Sequence, residues 1–72
     1  MEKIKVISDN IGKTLTIWIG NPNDEETCEE TSDEIVLMKD KKGKIIGVEI
    51  LNCDIENKNG LSVETILKTG TN

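Results

Sequence analysis

Apolar and polar residues alternate with a period of two along much of this chain. In residues 3–8 (KIKVIS), Ile4 and Val6 fall on one side and Lys3, Lys5 and Ile7 on the other, the pattern of a half-buried strand. Residues 13–19 (KTLTIWI) repeat it, with Leu15, Ile17 and Ile19 on one face and Thr14, Thr16 and Trp18 on the other. Both segments are rich in β-branched side chains, which suit a pleated surface. Between them Asp9, Asn10, Ile11 and Gly12 supply residues that tolerate turn geometry and positive φ. The two segments therefore predict a hairpin.

A second hairpin is predicted further on. The apolar run Ile35, Val36, Leu37, Met38 and the run from Ile45 to Leu51 are joined by a short, charged link that contains Gly43. In the second run Ile46, Val48 and Ile50 point one way, and Ile45, Gly47, Glu49 and Leu51 the other. Apolar groups thus occupy both faces, as Ile7 and Trp18 already do in the first hairpin. A four-stranded meander covers one face with its own short tail and leaves the other for a partner.

The connections are polar. Gly20, Asn21, Pro22 and Asn23 end the second strand, because Pro cannot donate to a ladder. Residues 21–34 read as an exposed acidic connection holding Asp24, Glu25, Glu26, Glu29, Glu30, Asp33 and Glu34. Mutual repulsion disfavours a helix there, while residues 27–31 could pair as a short edge strand whose charges discourage unwanted partners. Residues 52–60 read as loop. Residues 61–69 read as a short helix, with Ser62 as N-cap, Glu64 in the first turn, Lys68 before Gly70, and Val63, Ile66 and Leu67 on one face. Two turns are marginal in isolation, so this helix forms only by docking on the sheet. A fifth strand competes, since Leu61, Val63, Thr65 and Leu67 also alternate. The expectation is a single α+β domain over residues 1–72: a four-stranded antiparallel β-meander with a short C-terminal helix.

Size sharpens this picture. A chain of 72 residues buries only about 60% of the surface its unfolded form exposes, and its own core seldom supplies more than about 3–5 kcal/mol. Covalent or metal staples are scarce: there is no His, and Cys28 and Cys53 fit no zinc spacing. Met1, Glu2 and Lys3 lead straight into a strand-like segment with no leader pattern. The two thiols are therefore expected to be reduced in a cytoplasmic protein, with a Cys28–Cys53 disulfide left open. Self-association is then the natural source of further buried area.

The net charge of −5 repels phosphate backbones, and Trp18 is the sole aromatic side chain for base stacking, so nucleic acid is not an expected partner. No apolar run approaches the roughly 20 residues of a membrane span. Catalytic constellations are missing as well. Without His, a Ser or Cys nucleophile has no imidazole base, and there is no phosphate-binding or dinucleotide fingerprint. No enzyme activity, cofactor or metal is expected. Asp40 to Gly43 superficially resembles a calcium loop, but Lys41, Lys42 and Lys44 oppose a cation, and a simple turn is the better reading.

Four residues stand out as candidate partner contacts. Trp18 is either an interface anchor or a core residue beneath the C-terminal segment. Glu29 and Glu30 lie in the acidic tract, which suits a basic partner or merely keeps the domain soluble. Glu49 is an acid within an apolar strand, either a functional carboxylate on a sheet face or a surface acid paired across to Lys39 or another Lys. Gly47 beside it reads as a bulge or twist point, or as space for a large neighbour.

From Asp40 to Leu51 the order Asp, two residues, Gly, a basic residue, then Ile-Ile-Gly-Val-Glu-Ile-Leu closely resembles a small prokaryotic family catalogued only as a domain of unknown function, number 2283. Its members tend to read DEDGRIVGIEIL there and ADALYI in an upstream strand. Leu15 and Ile17 match that strand, with Lys13 in place of its acid and Thr16 in place of its Tyr. The resemblance covers about residues 4–51. It implies a compact β-meander, often followed by a helix, with no established catalysis. Members are often encoded beside small toxin-like proteins, which implies an antitoxin-like binding role. The functional expectation is a non-catalytic, self-associating interaction module and antitoxin-like partner of a small basic protein. The alternative is a small-ligand-binding or enzymatic subunit with Glu49 in an inter-subunit pocket.

Overall fold

A computed structural model describes residues 3–54 and 60–70, and within them five antiparallel strands form one sheet. The strands are β1 (Lys5–Asp9), β2 (Thr14–Trp18), β3 (Thr27–Glu30), β4 (Ile35–Lys39) and β5 (Ile45–Ile50), with one 3-10 turn, Pro22–Asp24, before β3. Both expected hairpins form. Lys5 opposes Trp18 and Asp9 opposes Thr14 in the first, and Ile35 opposes Ile50 in the second.

An aspartate organises each hairpin turn. Asp9 Oδ1 accepts from the backbone N–H groups of Ile11 and Gly12, both at 3.0 Å. Asp40 Oδ1 accepts from those of Lys42 and Lys44, both at 2.9 Å. In the second turn Gly43 takes φ +83°, a conformation that costs a residue without Cβ little.

Three expectations are corrected. The architecture is all-β, because residues 60–70 carry neither the expected helix nor the alternative fifth strand. Val63, Ile66 and Leu67 remain 60%, 70% and 89% exposed, so the docking that two helical turns require is missing. Second, there are five strands rather than four. Thr27–Glu30, within the acidic tract, pairs with β4 from Thr27 opposite Lys39 to Glu30 opposite Val36. Third, the strand order is β1-β2-β5-β4-β3, not a simple meander. The last strand turns back into the middle, pairing with β2 from Leu15 opposite Ile50 to Trp18 opposite Gly47. The physical reason is its composition: β5 is apolar on both sides, and the central position shields it from both flanks. Polar β1 and acidic β3 take the edges, where charge is tolerated. Of the expected loop at 52–60, residues 55–59 lie outside the described residues.

Residues 20–26 run along one end of the sheet. The backbone N–H groups of Ile19 and Gly20 both donate to Ile46 O, at 2.8 and 3.1 Å, and that of Glu26 donates to Lys39 O at 2.8 Å. Here the β4–β5 register shifts: Met38 opposes Gly47 but Lys39 opposes Ile45, so Ile46 is the extra residue of a bulge. Among the described residues, Val36, Met38 and Ile46 are the buried apolar side chains, and none is sealed completely, a small core even for this length. No helix among the described residues is long and apolar enough to cross a membrane.

Candidate functional site

Residues directly opposed in an antiparallel sheet share a face, so the register sorts the side chains into two unlike surfaces. The first face carries the row Lys5, Trp18, Gly47, Met38, Cys28 and, beside it, the row Ile7, Thr16, Glu49, Val36, Glu30. The second carries Val6, Ile17, Val48, Leu37, Glu29 and then Ser8, Leu15, Ile50, Ile35. One surface mixes aromatic, acidic and thiol groups. The other is aliphatic almost from edge to edge.

On the first face Trp18 and Met38 close over Gly47. A Cβ built there would meet Trp18 Cε3 at 2.7 Å and Met38 Cε at 2.9 Å. Gly47 is thus the space for large neighbours that its sequence allowed, and the bulge lies one residue away. Beside this stack is a shallow concavity of about 230 Å³ where Trp18, Thr16, Glu25, Cys28 and Glu49 meet. Glu25 reaches it because the 3-10 turn redirects the chain: Asn21 Oδ1 accepts from Asn23 N at 2.9 Å, and Asp24 and Glu25 N–H groups donate back to Asn21 and Pro22 carbonyls. The Cys28 thiol donates to Glu25 Oε2 at 2.6 Å. That hydrogen bond, followed by desolvation and the charges of Glu25 and Glu49, raises the thiol above its ordinary range. Both cysteines are free.

The four sequence candidates do not make one site. Trp18 and Glu49 line the same concavity. Glu30 shares Glu49's row, two strands away at the β3 margin. Glu29 turns to the second face, where its carboxylate pairs with Lys39 Nζ. The anticipated Glu49–Lys39 pair is not made, since the two residues point to opposite faces. Glu25 was not among the candidates; it sits in what reads as a solvated tract, and only the Asn21–Pro22 turn signal hints that the chain folds back. Among the described residues no group of three or more Cys, Asp or Glu is placed to hold a metal ion.

On the second face Leu15, Ile17, Ile35, Leu37, Val48 and Ile50 are half-buried by their neighbours in the sheet, and Val6 is exposed. No helix or second sheet lies over them among the described residues. Glu29 and Lys39, at the β3 margin of this surface, are paired with each other.

Compared with known proteins, residues 5–53 match the model of a family described as "Protein of unknown function (DUF2283)". No curated protein and no solved structure matches the chain.

Proposed function

The chain belongs to the DUF2283 family, and from that premise we propose that it is a non-catalytic interaction module of the cytoplasm that self-associates through the second face of its sheet. The observation that carries this is the aliphatic surface formed by Val6, Leu15, Ile17, Ile35, Leu37, Val48 and Ile50 with no helix or second sheet over it among the described residues. An uncovered sheet face of this kind is the ordinary mark of an interface. Five strands spaced about 4.8 Å apart span about 19 Å, whereas a helix is about 10 Å across. A single tail helix would cover about half of the face, and a second copy covers all of it. Because Glu29 and Lys39 neutralise each other at the rim, closing the face strands no lone charge.

Size-exclusion chromatography with light scattering tests the proposal. At tens of micromolar the chain should elute at a multiple of 8.0 kDa, and Ile17→Lys should lower that mass. A strictly monomeric unmodified chain would refute it.

A second reading concerns the first face. Trp18, Glu25 and Glu49 line one concavity on a chain of net charge −5, which supports binding of a small basic protein as an antitoxin-like partner. Capture of the neighbouring gene's product should fail when Glu25→Lys and Glu49→Lys are combined. Undiminished capture removes this face from partner binding.

A further inference from the structure

We propose that the outer edge of β1 is a separate self-association surface, pairing antiparallel with β1 of a second copy in a register centred on Ile7. The strand is at the margin of the sheet, all five of its residues are exposed, and its outward N–H and C=O groups have no ladder partner among the described residues. Its only protection against pairing is the charge of Lys5 and Asp9 at its two ends. It holds no Pro, and its register with β2 runs without a bulge. Such an edge is a template for another strand.

What selects the occupant is the order of charges. The strand reads Lys5, Val6, Ile7, Ser8, Asp9. Laid antiparallel on itself about Ile7, it sets Lys5 opposite the second copy's Asp9, Val6 opposite Ser8, and Ile7 opposite Ile7. The two-fold axis makes every pair away from Ile7 occur twice, so two opposite-charge pairs form at once. Lys5 and Asp9 lie on the first face, since they oppose Trp18 and Thr14, and the ion pairs described elsewhere, Lys13–Asp54 and Lys39–Glu29, use neither. Registers centred on Lys5 or on Asp9 set like charges against each other. A slip by one residue turns Val6 and Ser8 to the wrong face. The far edge behaves differently: β3 ends in Glu29 and Glu30, and Glu25 and Glu26 precede it, so a second β3 would meet carboxylates.

The edge contact does not depend on pairing through the aliphatic face, and its test keeps the two apart. In a Cys28→Ser, Cys53→Ser chain, Ile7→Cys or Val6→Cys is introduced, each with and without Ile17→Lys. Directly opposed residues have Cα atoms about 4.5–5.5 Å apart, within disulfide reach, whereas the two copies of position 6 are offset along the strand beyond the roughly 7 Å limit. Mild oxidation should therefore link the Ile7→Cys chain into a covalent dimer and leave Val6→Cys unlinked, in both backgrounds. In the cysteine-free Ile17→Lys chain, Lys5→Glu should weaken association about tenfold at low salt. Adding Asp9→Asn, which keeps the turn's acceptor oxygen, should recover part of the loss. Equal linking at both positions, no linking at either, or a dissociation constant indifferent to Lys5→Glu would overturn the proposal. Linking that survives Ile17→Lys while mass above the dimer disappears would locate the two surfaces independently.

Discussion

Gly47 lies directly beneath the indole of Trp18, close enough that a single methyl group at Gly47 would come within 2.7 Å of Trp18 Cε3. Met38 closes the same space from the other neighbouring strand, with its Cε 2.9 Å from that methyl position. Overpacking of this kind costs about 1–3 kcal/mol. Gly47→Ala should lower the urea midpoint accordingly and red-shift the emission of Trp18 as the indole is displaced. An unchanged midpoint would mean that the ring yields without loss.

Met38 is the most buried of the core side chains, at 4% exposure. Truncating a buried Met to Ala costs about 2–5 kcal/mol, comparable with the roughly 3–5 kcal/mol that so small a core supplies. Met38→Ala should be largely unfolded at 25 °C by circular dichroism. The adjacent Lys39, whose ammonium pairs with Glu29 at the surface, offers a contrast. Lys39→Ala should change stability by less than about 1 kcal/mol.

The Asp40 carboxyl is held below its ordinary range, chiefly by the Lys44 N–H, which with the Lys42 N–H and both lysine charges outweighs the opposing desolvation. A depressed folded value means that the carboxylate stabilises the hairpin above about pH 3.9, its unfolded value, and that this support is lost as pH falls through the folded value. Asp40→Ala should lower the melting temperature at neutral pH and flatten its decline between pH 5 and pH 2. If the acid limb keeps its slope, the turn is not where the acid sensitivity resides.

The Cys28 thiol is raised by its hydrogen bond to Glu25, by desolvation and by the Glu25 and Glu49 charges. In a Cys53→Ser chain it should alkylate several-fold more slowly than a free thiol at pH 8, despite its exposure. Glu25→Ala should restore most of the rate. Because the folded value is raised, the thiol's contribution to stability is intact below the unfolded value near pH 8.5 and is lost as pH rises through the folded one.

The hairpins were legible because their signals are local: alternating side chains flank turns in which Asp9 and Asp40 cap backbone N–H groups. Period-two alternation says which residues share a face but not which strands are neighbours, so the return of β5 to the centre was not readable. The acidic tract was ambiguous for a similar reason: residues 27–31 could be read as an edge strand, but Glu29 and Glu30 look equally solvated, and only the pairing with β4 settles it. Ser62, Glu64 and Lys68 supply helix-end chemistry without a surface to dock on, and local propensity alone did not prevail. For the first face, Trp18 and Glu49 were visible individually. Their meeting with Glu25 depends on the path of residues 20–26, which no spacing rule encodes.

The unlike margins of the sheet have a consequence for how far it can extend. A ribbon that lengthens without end needs two usable sides on every unit, one to receive and one to offer. If β1 pairs as proposed, the carboxylates of β3 disfavour a further strand at the other margin of the described sheet, and the ribbon would stop at ten strands. Such a limit would keep a short chain, greasy on one surface and rich in β-branched residues, from lengthening into fibrils.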